Sequence, residues 1–178
     1  MSIIVFSGPT GVGKTSVVQE LLGKLPNAHK AVTFTTRSPR AGERHGVDYY
    51  FCSVGEFQEK VAQDAFLEYE KYGNNFYGCP RDQLVEEAAT YDHVFVILDV
   101  RGAASLRKSL IPHKSIFLAP PSMEELLSRL EKRATEGKVE QLSRISQVER
   151  EMASAVHYDY MFTNSTVLDV VSNILPLL

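Results

Sequence analysis

A chain of 178 residues can form one domain with a real hydrophobic core, and 44% apolar with 23% charged residues excludes a disordered or fibrous chain. A net charge of -3 argues against a general nucleic-acid-binding surface. Two cysteines, Cys52 and Cys79, fit a reducing compartment better than a disulfide scaffold, and the longest apolar run, 94–98, is too short to span a bilayer. No signal peptide is expected at the N-terminus, so the expected location is cytoplasmic, without membrane or nucleic-acid partners.

Ile3–Ser7 is a short apolar run stopped by Gly8-Pro9, the pattern of a buried strand. Val17, Val18, Leu21, Leu22 and Leu25 then recur at helical spacing until Pro26-Asn27. Thr33–Thr35 predicts a short strand, followed by an arginine-, proline- and glycine-rich loop. Ser53 and Glu56 have capping-box spacing and open a helix to about Gln63. Phe66–Tyr72 alternates as a strand does, 73–75 is a turn, and 81–90 predicts a helix. His93–Val100 is a buried strand ending in Asp99, and Ser115–Ala119 is another, closed by Pro120-Pro121. Ser122 and Glu125 repeat the capping-box pattern before Met123, Leu126, Leu127 and Leu130. The polar stretch 134–140 separates this helix from a second one carrying Leu142, Ile145, Val148 and Met152. Tyr160–Thr163 predicts the last strand and 167–175 a closing helix. Strands separated by helices predict an α/β fold, a mainly parallel sheet with helices on both faces. Residues 34–77 interrupt that rhythm as an insertion, and 134–140 is expected to be a second mobile element.

Residues 8–15, GPTGVGKT, fit G-x-x-x-x-G-K-[ST] between a predicted strand and a predicted helix. Gly8, Gly11 and Gly13 allow backbone N–H groups to close on phosphate oxygens, and the loop as a whole, with Pro9, Thr10 and Val12, becomes a cradle at a helix N-terminus. Lys14 supplies a point charge to the β- and γ-phosphates, and Thr15 a hydroxyl to Mg2+. Asp99, at the end of a buried strand, fits the acidic partner of that ion or its water; the other reading is a helix cap before Gly102. The pattern predicts a nucleoside triphosphate site without saying what receives the phosphoryl group. Arg37, Arg40, Arg44, Tyr49 and Tyr50 crowd into 35–51 and read either as a second anion site or as a solvated loop. The five histidines show no metal-ligand spacing.

Along the whole chain, GPTGVGKT, TTRSPRAGE, HGVDYYF, FLEYEKYGNNFYG, APPS, RLEKRATE and HYDYMFTN resemble, in order and spacing, the motifs of guanylate kinases, which phosphorylate GMP with MgATP. The resemblance implies a P-loop core at 1–33, 78–128 and 145–178, a GMP-binding insertion at 34–77 and a lid at 129–144, together one domain. It implies that Arg37, Arg40, Tyr49 and Tyr77 hold the GMP phosphate and that Glu68 and Thr33 read guanine. Guanine presents N1–H and N2–H₂ side by side, two donors that suit one carboxylate. Arg129, Arg133 and Arg144 are expected in or beside the lid, where cations offset charge on the transferring group. Asn164 is expected near adenine. The implied function is transfer from ATP, with Mg2+, to GMP and dGMP in purine nucleotide metabolism and GMP recycling, by a monomer or homodimer. The alternatives are a non-catalytic protein-interaction module of the same fold and a kinase for another phosphorylated acceptor.

Three departures stand out. Cys79 occupies the position where the family has Ser or Thr, expected on the wall of the GMP pocket with nearby arginines favouring its thiolate. LDVRG is shorter than in the family and puts Arg101 where a second aspartate contacts GMP. Ala134 replaces a lid glycine.

Overall fold

The computed structural model of the chain describes residues 2–109, 111–131 and 138–178, with side chains for all of these except 129–131 and 138–145. The chain opens with β1 (Ser2–Ser7) and α1 (Lys14–Lys24), followed by β2 (Ala28–Lys30), β3 (Phe34–Thr35) and β4 (Tyr50–Phe51). Next come α2 (Val54–Ala62), β5 (Phe66–Tyr72), β6 (Asn75–Pro80) and α3 (Arg81–Thr90). The remainder is β7 (His93–Ile97), α4 (Val100–Lys108), β8 (His113–Ala119), α5 (Met123–Glu131), α6 (Lys138–Ala153), β9 (Tyr160–Thr163) and α7 (Val167–Ile174).

The main sheet is parallel throughout, in the order β2-β7-β1-β8-β9. Its central strand explains the unbroken apolar run at 3–6: Ile4 and Phe6 face one side, Ile3 and Val5 the other, and all four are buried. A strand covered on both faces needs apolar residues at every position. On the first side Ile4, Phe6, Phe95, Ile116 and Leu118 form one cluster with Val17, Val18 and Leu21 of α1 and Val170, Val171 and Ile174 of α7. On the second side Ile3, Val5, Val94 and Val96 cluster with Leu84 of α3 and Ala103 and Leu106 of α4.

A smaller sheet, β4-β3-β6-β5, stands apart from the first. Here β3 pairs parallel with β4 and antiparallel with β6, and β5 and β6 form a hairpin. Its apolar layer is aromatic. Phe57 of α2 is buried and stacks on Phe66 and Phe76, with ring centroids 4.6 and 5.5 Å away. Ser53 caps α2 through the reciprocal hydrogen bonds of a complete capping box, as its spacing predicts.

The expected strand at 93–100 stops at Ile97; Asp99 is the N-cap of α4, a helix that no apolar periodicity announced. The hairpin strand β6 runs to Pro80, so the expected insertion boundary at 77 falls inside a strand. Residues 132–137, most of the expected polar break, lie outside the described residues, while Lys138–Glu140 already belong to α6. No helix among the described residues is long and apolar enough to cross a membrane.

Phe57→Ala should cost the smaller sheet about 3–5 kcal/mol, the usual range for deleting a buried aromatic. Hydrogen exchange should accelerate across 50–80 and leave β1, β7 and β8 protected; uniform acceleration would mean that the two sheets open as one unit.

Candidate active site

The loop from Ser7 to Lys14 leaves the centre of the main sheet and is shaped by close contacts. Gly8 has φ 137°, and a Cβ there would lie 2.1 Å from the Leu118 carbonyl oxygen of the neighbouring strand. Gly13, with φ 99°, is the N-cap of α1, and a Cβ there would meet Asn164 Nδ2 at 2.7 Å. Only glycine suits either place. Whereas α2, α4 and α7 are capped by Ser53, Asp99 and Thr166, no side chain among the described residues caps α1, and its first turn has no acidic residue. Its leading N–H groups therefore face the cleft as anion donors.

Lys14 Nζ donates to the carbonyls of Gly8 at 2.6 Å and Pro9 at 3.1 Å. Burial pulls its pKa down to about 8, against the opposing pull of Glu151 and Asp99. Asn164, expected beside adenine, is a buried prop of the loop: its Nδ2 donates to the Val12 carbonyl at 2.7 Å and its side chain is not among those lining the cleft. Pro9 and Val12 likewise take part through their carbonyls. Asp99 Oδ1 accepts the N–H groups of Arg101 at 3.0 Å and Gly102 at 2.7 Å, so the helix-cap reading of this residue is correct. The same carboxylate lines the cleft together with Lys14 and Thr15.

Facing this loop across one continuous cleft are Thr33, Arg37, Arg40, Tyr49, Glu68 and Tyr77. The arginine loop is folded around an internal counter-ion. Glu43 accepts Arg37 Nη2 at 2.9 Å through one carboxylate oxygen and the Arg40 backbone N–H at 2.7 Å through the other. Partial burial opposes ionisation of Glu43, but these hydrogen bonds hold its carboxyl below the usual range. The Arg37 guanidinium also lies over the Tyr49 and Phe51 rings, 5.5 and 5.9 Å from their centroids. Arg37 is thus fixed in place before any ligand arrives.

Two neighbours in the same segment go elsewhere. Tyr50 packs on Phe34 and its hydroxyl accepts from Gln83 Nε2, while Arg44 closes a turn with Asp48 through its backbone N–H. Neither lines the cleft, so of the five residues read either as a second anion site or as a solvated loop, only Arg37, Arg40 and Tyr49 line it. Cys79 is a second correction. Its side chain is fully buried in the apolar cluster of Ala31 and Leu84, because β6 has by then reached the junction with the main sheet. Burial first, then the carboxylates of Glu68 and Glu87, push its thiol far above the ordinary range, the opposite of an activated thiolate. The Cys79 backbone N–H opposes the rise of the Glu68 pKa, the smallest of the influences on that carboxyl. Cys52 is partly exposed, and burial followed by Glu56 raises its pKa as well.

Glu68 is buried, and desolvation raises its carboxyl to about 8, with Asp99 and Glu70 adding to the rise. Of the cleft residues that the sequence reading did not single out, three bear directly on the site's chemistry. Tyr72 donates or accepts a 3.1 Å hydrogen bond with Thr10, so the smaller sheet touches the phosphate loop directly. Gly102 lines the cleft beside Glu68. Glu151, a buried carboxylate of α6, accepts Gln147 Nε2 at 2.9 Å and faces Lys14 electrostatically. Its signal was available: an acidic residue three after Val148 and next to Met152 lies on the apolar stripe of its helix. Arg133 and the side chains of Arg129 and Arg144 lie outside the described residues.

The Glu68 shift makes a prediction about stability. Its native pKa of about 8 is above the ordinary 4.5, so the native state binds more protons than the unfolded chain between those values. Stability must then fall as pH rises through that window and level off above it. Glu68→Gln lacks this loss, so its stability relative to wild type should grow between about pH 5 and 8 and then stay constant. Urea unfolding of both proteins across that range checks this; a pH-independent difference contradicts it.

The family model described as guanylate kinase matches residues 1–178. A curated guanylate kinase of Thermobifida fusca is 38% identical over 176 residues, which cover 99% of this chain and 90% of that protein. That of Chlorobaculum tepidum is 39% identical over 163 residues, 91% of this chain and 84% of its own. The crystal structure of guanylate kinase from Anaplasma phagocytophilum superimposes with a TM-score of 0.79 at 28% identity, over 99% of this chain and 83% of that one. Shikimate kinase from Bacteroides thetaiotaomicron, at 18% identity and a TM-score of 0.57, covering 99% of this chain and 97% of that one, shares the fold alone. By a family model that spans its full length and by its curated relatives, this chain belongs to the guanylate kinase family.

Proposed function

We propose that this protein transfers the γ-phosphoryl group of ATP to GMP, and to dGMP, giving ADP and the corresponding diphosphate. The observation that carries the reading is the single cleft walled by an uncapped helix N-terminus with Lys14 on one side and by Arg37, Arg40, Tyr49, Tyr77 and Glu68 on the other. Two phosphate-bearing substrates need two separate anion sites that open on a common space, and the chemistry needs little beyond positioning and charge.

In this reading the α1 N–H groups and Lys14 hold the donor phosphates. The Arg37 and Arg40 guanidinium groups and the Tyr49 and Tyr77 hydroxyls hold the acceptor phosphate. The Glu68 carboxylate, whose ionised form two donors would favour against the desolvation that raises its pKa, accepts guanine N1–H and N2–H₂, with Thr33 beside it. Adenine lacks that donor pair and would leave the buried carboxylate unpaired, a difference on the order of 10⁴ in selectivity. Thr15 and Asp99 fit a cation that arrives with the nucleotide: both line the cleft, yet no group of three or more His, Cys, Asp or Glu among the described residues could hold a metal unaided. Mg2+ bound there would neutralise charge on the β- and γ-phosphate oxygens. Arg129, Arg133 and Arg144 are proposed as lid cations on the family resemblance. The intact loop and Lys14 weigh against a protein-interaction module. The proposed setting is cytoplasmic purine nucleotide metabolism and GMP recycling.

A coupled assay of ADP release with GMP, AMP, UMP and CMP tests the reading; a preference for any acceptor other than GMP overturns it. Lys14→Ala should keep the fold, by circular dichroism, and lower turnover by about 10² or more at saturating ATP. Arg40→Ala should raise the KM for GMP by roughly ten- to a hundred-fold, as the loss of a charge-assisted contact implies, and change that for ATP far less. Steady-state kinetics with each substrate varied in turn separates these effects.

A further inference from the structure

The first turn of α4 packs closely against β5 in the cleft wall. A Cβ built on Gly102 would lie 2.7 Å from Glu68 Oε2, 3.0 Å from Cδ and 3.2 Å from Oε1. The carboxylate therefore crowds the place where the first carbon of any side chain at 102 would sit. The turn is not free to back away: the Gly102 N–H is bonded to Asp99 Oδ1 at 2.7 Å, and the Ala103 N–H to the Asp99 carbonyl at 2.9 Å.

Nothing in the backbone asks for glycine here. Gly102 lies within α4 and is not among the positive-φ residues of the chain, and Ala103 and Ala104 continue the same helix. Alanine is the better helix former, so glycine at this position weakens α4. What glycine provides is room. An added methyl group would meet the far end of a flexible side chain, which can swing away at little cost to the fold. The displaced group is the carboxylate itself, so the loss falls on whatever that carboxylate recognises.

We propose that Gly102 is a specificity-determining residue: by lacking a side chain it sets the depth at which the Glu68 carboxylate sits, and so fixes the donor pattern that the acceptor base must present. The inference rests on the reading of Glu68 as the group that recognises guanine. The α4 N-terminus thus meets Glu68 through Gly102, while Arg101 stays two-thirds exposed, 4.0 Å from Glu70.

The test is Gly102→Ala beside Glu68→Gln, Glu68→Asp and the double variant Gly102→Ala with Glu68→Asp, assayed with GMP, AMP and ATP. Gly102→Ala should raise the KM for GMP about tenfold or more and lower the preference for GMP over AMP to match. The KM for ATP should stay within about twofold, and the melting temperature should hold or rise. Aspartate, one methylene shorter, withdraws from the new methyl group, so the double variant should bind GMP better than the product of the two single effects predicts. Unchanged GMP KM and selectivity in Gly102→Ala overturns the proposal. So does a lower melting temperature with equal weakening of both substrates, which would mark a structural role. If Glu68→Gln keeps the GMP preference, the guanine-recognition reading fails and the proposal falls with it; if Glu68→Gln loses it while Gly102→Ala keeps it, the proposal alone fails.

Discussion

A helix that begins without a cap leaves backbone N–H groups in need of an acceptor, and the architecture here keeps α1 in that condition. β1 is clamped between two parallel neighbours, which brings Gly8 onto the Leu118 carbonyl. Asn164, beyond the end of β9, reaches across to hold the Val12 carbonyl. Between these two anchors the loop satisfies one of its own donors, the Val12 N–H on the Pro9 carbonyl at 3.2 Å, and leaves the start of α1 without a side-chain cap. Lys14 adds its charge from inside the same curve, tied to two carbonyls. Burial, which favours a neutral amine, is only partly opposed by Glu151 and Asp99. The dense packing of the sheet is thus what keeps a set of polar groups available to an anion.

The opposite wall solves the same problem by another route. Arginines grouped in a short loop repel one another and would spread into solvent if nothing held them. Glu43 supplies the counter-charge from within the loop, using one oxygen for a guanidinium and the other for a backbone N–H. Aromatic faces then fix the direction of Arg37. Much of the ordering cost is met in the folded protein, so less is left for binding. The two walls are not independent bodies, since Tyr72 links the hairpin to Thr10 of the phosphate loop.

What the sequence revealed follows how local each cause is. β5, α3 and β9 have the expected bounds because alternation, proline and turn residues lie within or beside them. β2, an Ala-His-Lys edge strand, and β4, only two residues long, exist through pairing with distant partners and carry little pattern of their own. α4 begins where Asp99 caps it, and its small residues show no clear stripe. In the cleft, the glycine-rich motif identified its own neighbourhood, since spacing and chemistry coincide there. Arg40 and Arg44, or Tyr49 and Tyr50, are chemically the same in one dimension; only the folded loop decides which of each pair faces inward. Glu151 was hidden for the converse reason: a charged residue on an apolar stripe reads as noise until the packed helix turns it toward Lys14.

The burial of Cys79 also isolates the cleft from the redox state of its surroundings. A thiol enclosed by apolar side chains and flanked by carboxylates offers neither the access nor the thiolate that peroxide, a mixed disulfide or an electrophile requires. Oxidant chemistry would first have to part the junction between the two sheets. The one thiol within reach of solvent, Cys52, sits at the outer end of β4 and lies outside the cleft lining. A sulfur-bearing residue packed in the apolar cluster behind the cleft therefore adds no oxidative liability, and the folded protein offers a single natural attachment point for a thiol-directed probe, beside the smaller sheet.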